Sequence, residues 1–359
     1  MSSETDFGGE LLNWYYLNRR DLPWRRSNDP YHIWLSEIML QQTRVDQVTP
    51  YFERFTAAFP TVHDLAGATQ QDVMMLWEGL GYYSRARNMH RAARMISEKF
   101  GGMMPGTYEE ILTLPGVGPY TAAAIASIAH GMPHAVVDGN VIRVLTRYSG
   151  MDGDVRTTAV KKAVEALAGE LLDRKNPGDY NQALMELGAT VCTPRAPDCG
   201  SCPLQTGCIA FRSAMTHIIP YKSPKKQIPH YHIAVGIIKN TDGKLLIALR
   251  PDNAMLGGLW EFPGGKQKAG ESLEETVRRE LLEELGIEVV ITGFVMKLNH
   301  AYSHFRITMH AYHCRIVHGE PRPVASKEIA WVHRGQLADY PFPKANRSIT
   351  LALMHEQSN

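Results

Sequence analysis

The sequence lacks any apolar run approaching the ~20 residues that a membrane-spanning helix needs. No membrane association is therefore expected. Its first ten residues, Met1–Glu10, are polar and acidic and lack the basic region and apolar core of a secretory signal. They read as a short flexible tail on a soluble, cytoplasmic protein, nucleoid-associated if the source is bacterial. Charge of one sign is also missing: Lys and Arg number 38 against 37 Asp and Glu, a net of +1. Any basic face for nucleic acid must be local and offset by acidic surface elsewhere. Cysteine is scarce, and four of the five fall within Cys192–Cys208, with Cys314 far away. Such clustering in an intracellular chain points to metal ligation, not a disulfide scaffold. Cys314, in an apolar strand-like stretch, reads as a buried small hydrophobe. No internal repeat is visible. What is present is a hydrophobic fraction of 44% over 359 residues, enough for two or three domains with ordinary cores.

Residues 11–212 read as mostly helical. Tyr31–Gln42, Ser84–Phe100, Tyr120–His130 and Thr158–Leu172 carry helical apolar spacing between Gly/Pro punctuation. Asp29-Pro30 looks like an N-cap followed by proline at the first helical position. Residues 213–229 hold Pro220, Pro224, Pro229, Lys222, Lys225 and Lys226 and read as an interdomain linker. From His230 to residue 359 the pattern is β-rich. His232–Lys239 and Lys244–Arg250 flank an Asp242-Gly243 turn, a hairpin signal. A helix over Ser272–Leu285 stops at Gly286, and strands continue to about His333, giving a compact α/β domain.

Leu114–Ala122 joins two helices through Gly116-Val117-Gly118. Glycines there let backbone N–H groups approach a phosphate, and the next helix N-terminus adds partial positive charge. Asp138 follows an apolar run beside Gly139. Then come Cys192, Cys199, Cys202 and Cys208, four thiolates that can close one tetrahedral site. Spacing alone leaves both tetrathiolate zinc and an iron–sulfur cluster open.

Together these motifs resemble the endonuclease-three branch of the helix-hairpin-helix glycosylase superfamily. Trp24-Arg25, Leu35–Thr43 and Gly79–Tyr83 resemble its adenine-specific members. The resemblance implies a mostly α glycosylase fold, double-stranded DNA as partner, and a [4Fe–4S] loop at 192–208. It also implies Glu37 as the acid that protonates adenine and Asp138 as the carboxylate that steadies the sugar cation, the division of labour of two-carboxylate glycoside hydrolysis. Asn140 and Tyr120 would orient Asp138 or line the pocket. Half-buried on its helix, Glu37 should have a raised pKa. Tyr120 stands where lyase members carry a lysine, so no Schiff base can form and a monofunctional glycosylase is expected. Gln42 and Tyr82 match wedge positions that offset the unstacking of a flipped base. Trp24, Arg25, Gly116, Gly118 and Gln182 complete the expected DNA and base contacts. Core packing competes as the role of Tyr82-Tyr83. Arg85, Arg87, Arg91 and Arg94 read equally as a phosphate-facing stripe or a solvated face.

In the C-terminal half, Gly265, Glu271, Arg279, Glu280, Glu283, Glu284 and Gly286 fit the fixed positions of a Nudix box. Glu280 and Glu284, four apart on one helix with Glu283 adjacent, could hold Mg²⁺ against a diphosphate. Residues 230–354 resemble the bacterial 8-oxo-dGTP pyrophosphatase family, with Phe262 and Asn346 at its oxidised-guanine positions. Adenine-specific glycosylases carry a related domain, usually with an eroded box; this sequence keeps the box. Tyr302-Ser303-His304 stands where they have Phe-Ser-His against the oxidised base. Two readings of the domain stay open: a sensor of 8-oxoguanine opposite adenine, or a hydrolase of oxidised nucleotides as well. Glu328 is a candidate further carboxylate.

The resulting expectation is a multidomain monomer: a helix-hairpin-helix glycosylase followed by an α/β Nudix-like domain. It would remove adenine from A:8-oxoguanine or A:G mispairs. A pyrimidine-specific lyase is disfavoured by Tyr120, and a fusion whose helical half only binds DNA is disfavoured by Glu37 and Asp138.

Overall fold

The computed structural model describes residues 6–224, 228–302 and 304–355. Its described residues divide into two compact units, one formed by 6–67 with 91–224 and the other by 68–90 with 228–355. The division thus differs from a cut at residues 213–229, because 68–90 group with the C-terminal half. Ser303, Lys225 and Lys226 lie outside the described residues.

The first unit is helical. Residues 7–10 are not a tail: Asp6 caps a helix Phe7–Asn18, and Phe7 is buried with its ring edge-on to Tyr148 at 4.7 Å. An apolar side chain at position 7 found a core, which outweighed the polar composition around it. That core joins Leu11, Tyr15, Val141, Leu145, Val164, Tyr180 and Leu184 from the helices Phe7–Asn18, Gly139–Ser149, Thr158–Leu171 and Pro177–Thr190. Gly188 makes the last of these contacts close. A Cβ there would stand 2.6 Å from Asn140 Cβ, so only glycine lets the helix approach the segment after Asp138.

Helix Pro30–Leu40 starts as its sequence requires. Asp29 accepts the Tyr31 N–H at 2.9 Å and Pro30 takes the first helical position. Its buried residues run from Ile33 to Met39 without a polar face, and Glu37 lies among them. Gly116, at φ 80, turns the chain into helix Pro119–His130, whose N-cap is Gly118. The linker assignment is corrected over its first part. Ile219 is buried, its carbonyl accepts from Arg147 Nε at 2.7 Å, and the Tyr221 carbonyl accepts from Val155 N–H at 3.2 Å. These contacts anchor 219–223 to the helical unit.

The second unit holds two sheets among its described residues. β1 (His230–Ile238), β4 (Gly264–Lys266), β5 (Glu288–Ala301) and β6 (Arg306–His318) form one, in the order β4-β1-β6-β5 with β1 parallel to β6. β2 (Leu245–Leu249), β3 (Trp260–Glu261) and β7 (Glu328–Val332) form the other, in the order β3-β2-β7. The hairpin expected around Asp242-Gly243 is therefore absent. A tight turn and one Lys239–Leu245 bridge are present, but β1 and β2 diverge into different sheets. The turn governs only that bridging pair, and each apolar strand is paired instead by its own sheet. Helix Leu273–Leu285, capped by Ser272 and Gly286, packs Val277, Leu281 and Leu285 on one side. Helix Lys344–His355 packs Ala345, Ile349 and Leu353 with Phe262 and Phe342 in the other core. Cys314 is buried, as its apolar surroundings required.

Candidate active site and cysteine loop

Three elements of the first unit bring the proposed chemistry together. Glu37 comes from helix Pro30–Leu40, Tyr120 from the first turn of helix Pro119–His130, and Asp138 from the cap of helix Gly139–Ser149. All three line one cavity of about 770 Å³, with Trp24, Arg25, Asn140 and Gln182. That size falls within the usual range of ligand sites. Gln42, Gly116 and Gly118 stand outside its lining.

Glu37 is only 6% exposed, and Tyr120 Oη donates to its Oε2 at 3.0 Å. Burial pushes its carboxyl up to about 7. The Asp138 charge pushes the same way, while the Tyr120 hydrogen bond and Arg25 oppose it. Tyr120 itself is held protonated, first by burial and then by the Glu37 charge. Of the two roles the sequence offered, Tyr120 lines the pocket, and its hydroxyl bonds Glu37, not Asp138. Asp138 also stabilises the fold. Its Oδ1 accepts the N–H groups of Asn140 and Val141 at 2.8 and 2.7 Å, and Asn140 Nδ2 donates to its Oδ2 at 2.9 Å. Burial raises the Asp138 pKa, and these hydrogen bonds counteract it. Arg143 Nη2 fixes Asn140 Oδ1 at 2.8 Å, while its Nε donates to the Cys192 carbonyl at 2.6 Å. One guanidinium thus joins the carboxylate's support to the cysteine loop.

Sequence reasoning missed Glu186. It is 1% exposed and lines the cavity, bonded to Arg20 Nε at 2.6 Å and Arg25 Nη2 at 2.9 Å. Burial works against its charge, but the Arg20 hydrogen bond and the Arg25 charge prevail and hold it at about 2. Its only sequence signal was position, four residues after Gln182 on the same helix face.

Residues 35–170 match the family described as HhH-GPD superfamily base excision DNA repair protein, and residues 234–352 match the NUDIX domain. The adenine DNA glycosylase of Homo sapiens is 36% identical over 366 residues, covering 86% of this chain and 66% of that protein. The chain thus spans about two thirds of the human protein's length. The adenine DNA glycosylase of Buchnera aphidicola subsp. Acyrthosiphon pisum (strain APS) is 35% identical over 300 residues, 83% of each chain.

The chain belongs to the adenine DNA glycosylases. This family consists of DNA N-glycosylases of base excision repair, here with a C-terminal Nudix domain. Among solved structures, a thermostable thymine-DNA glycosylase superposes with a TM-score of 0.52 at 31% identity, over 58% of this chain and 95% of that one. A trapped endonuclease III–DNA covalent intermediate superposes at 0.50 with 24% identity, over 58% and 94%, which shows the fold alone.

An adenine glycosylase with an endonuclease III-like fold implies an iron–sulfur cluster. The donors fit one. Cys192, Cys199, Cys202 and Cys208 line a single small cavity, and Arg147 Nη1 points at Cys192 Sγ from 3.3 Å. Arg147 is 2% exposed and is fixed by the carbonyls of Thr193, Pro194 and Ile219. A buried cation beside four sulfurs suits a set of thiolates. Among the described residues, no three His, Cys, Asp or Glu side chains gather closely enough to chelate one ion directly.

In the second unit, Tyr82, Tyr302 and His304 line a cavity of about 390 Å³. Gln42 (φ 57) and Tyr82 (φ 49) are two of only four described non-glycine residues with positive φ. Such strain persists where the surroundings impose it and concentrates at functional sites. The arginine stripe does not form. Arg85 is buried against Trp77 and Tyr82, at 5.3 and 5.2 Å from the rings, and Arg87 bonds the Gly257 carbonyl.

In the Nudix box, Arg279 bonds Glu271, Glu280 and Glu283 at 2.6, 2.8 and 3.1 Å. Glu284 accepts the Gly264 N–H at 3.1 Å, and burial, then the charges of Glu261 and Glu280, push it up to about 7. The acid beside the box is thus Glu261, paired with Arg250 at 2.6 Å. Glu328 is exposed at the start of β7. Phe262 and Asn346 do not line an open pocket. Phe262 is fully buried, its N–H donates to Asn346 Oδ1 at 3.1 Å, and Asn346 is 3% exposed. Phe342 stacks on Phe262 at 5.7 Å in the same core.

Proposed function

We propose that this chain removes adenine mispaired with 8-oxoguanine, or with guanine, by flipping it into the cavity of Glu37 and Asp138. The observation that carries this is the shared cavity holding one carboxyl raised to about 7 and a second, hydrogen-bonded carboxylate. Glu37 delivers its proton to N7 of the purine. The C1′–N9 bond then breaks, with its electron pair leaving on the base. Asp138 steadies the cationic sugar until water adds at C1′ and gives up a proton. Trp24, Arg25 and Gln182 line the base site, and Glu186 orients Arg25. Tyr120 offers no amine, so an abasic site is left intact. Gly116 and Gly118 present the hairpin backbone to phosphate, and Gln42 and Tyr82 enter the duplex. The cavity of Tyr82, Tyr302 and His304 takes the 8-oxoguanine. The four cysteines hold a [4Fe–4S] cluster that orders residues 192–208. One chain supplies every residue named, which supports a monomer, working in the compartment that holds the DNA.

Duplexes with adenine opposite 8-oxoguanine, guanine or thymine test this. Release of adenine from the first two, with strand cleavage only after alkali and no release by Asp138→Asn, is expected. Release from none of them, or a borohydride-trapped adduct as strong as a lyase's, contradicts it.

For the Nudix half we propose Mg²⁺ binding without nucleotide turnover. One or two of Glu280, Glu283 and Glu284 would hold the ion, with water completing its shell. Burial, then the charges of Glu261 and Glu280, raise Glu284, and a bound cation would offset both. Phe262 and Asn346, closed into the core, favour the sensor reading over hydrolysis.

A further inference from the structure

The loop that carries Tyr82 is tied on both flanks to the backbone of a single residue. Glu78 follows helix Gln70–Trp77, and its Oε1 accepts the Phe342 N–H at 3.2 Å. Arg347 Nε stands 3.7 Å from that same oxygen. Five residues on, Tyr83 Oη donates to the Phe342 carbonyl at 3.5 Å and accepts the Gly79 N–H at 3.2 Å. Both backbone groups of Phe342 are thus engaged by the two ends of the turn.

Between those ends the chain passes through Gly79, Gly81 and Tyr82, all at positive φ. Tyrosine keeps that backbone only where its surroundings hold it. Phe342 is a firm anchor. It is fully buried, stacks on Phe262, and is followed by Pro343 and Lys344, which line the same cavity as Tyr82, Tyr302 and His304. Burial works against the Glu78 charge, and Arg347 with the Phe342 N–H offsets it.

We propose that Glu78 and Tyr83 are positioning residues that set the Tyr82 loop against Tyr302 and His304 through Phe342, and so set the preference for 8-oxoguanine over guanine opposite adenine. On this view, the residues at the nucleotide-reading positions of the Nudix fold, Phe262 and Asn346, serve as the seat of a loop anchor. The proposal rests on the adenine glycosylase reading above.

The full-length protein decides it, by duplex binding and single-turnover adenine release on A:8-oxoguanine and A:G. Wild-type release from A:8-oxoguanine tests the parent reading by itself. Glu78→Ala and Tyr83→Phe each lose a hydrogen bond to Phe342 and a second contact, to Arg347 and Gly79 respectively, and should each lower the binding preference for A:8-oxoguanine over A:G by about fivefold or more, with the saturating rate on A:G nearly unchanged. Glu78→Gln keeps the acceptor for Phe342 and should retain most of the preference. If Glu78→Ala does not fold, Tyr83→Phe, which loses one oxygen, still decides. An unchanged preference in Tyr83→Phe, or equal losses on both duplexes with a fall in melting temperature, overturns the proposal.

Discussion

Tyr120 donates its hydroxyl to Glu37 at 3.0 Å inside a cavity that Asp138 also lines. The tyrosine keeps its own proton and holds the acid in place, so Glu37 has one oxygen fixed and the other left for substrate. Removing that hydroxyl as Tyr120→Phe should raise the Glu37 pKa further, because the bond favours the charged form.

The rate of adenine release should fall as pH rises through about 7, where Glu37 loses the proton it must donate. On the acid side it should fall where Asp138 is neutralised, above the ordinary aspartate value because burial raises that group. Single-turnover rates across pH check both limbs. A rate that climbs steadily above pH 7 would remove Glu37 as the acid.

Glu37→Gln should be inactive yet more stable than wild type in alkaline solution. A carboxyl raised from 4.5 to about 7 destabilises the folded state once pH exceeds the unfolded value. The gain should reach about 3 kcal/mol above pH 7 and vanish below pH 4.5. Urea unfolding at two pH values measures it.

Asp138→Asn should separate catalysis from capping. Asparagine is as good an N-cap as aspartate, so stability should change by less than about 1 kcal/mol. The rate of adenine release should fall by roughly 10²–10⁴. A comparable loss of stability would mean that the fold, not the charge, was removed.

Arg147→Met should destabilise the first unit by about 1–3 kcal/mol, since the buried Ile219 carbonyl and the part-buried carbonyls of Thr193 and Pro194 lose their donor. Iron and acid-labile sulfide per chain should fall with it, and also in Cys199→Ser. Full iron content in the cysteine variant would exclude that residue as a ligand.

Incubation with 8-oxo-dGTP and Mg²⁺ should yield no more monophosphate than a Glu283→Gln control. Mg²⁺ alone should raise the melting temperature of wild type but not of that control. Turnover above the control would show that the Phe262–Asn346 site opens.

Much of the candidate site was legible because its residues sit in short contiguous motifs. Trp24, Arg25, Glu37, Tyr120, Asp138, Asn140 and Gln182 all reach one cavity. Glu186 was not legible, since only the fold shows that its helix brings it under Arg20 and Arg25. Asp242-Gly243 announced a turn correctly, but sheet membership depends on β6 and β7, far along the chain. Arg85 was read as facing either phosphate or solvent because charge usually stays at the surface, and two aromatic rings buried it instead. Phe262 and Asn346 matched their motif, yet both are buried and bonded to each other, a packing event with no local signature.

Residues 68–90 share a compact body with 228–355, although 137 positions of sequence, a proline-rich stretch among them, part the two. A nick or stop codon near position 225 would therefore not release two self-sufficient pieces. The N-terminal fragment would carry an orphaned segment whose side chains Glu78 and Tyr83 had lost their counterpart, and recombination at that seam would graft mismatched halves. The two moieties of this chain are bound to change together.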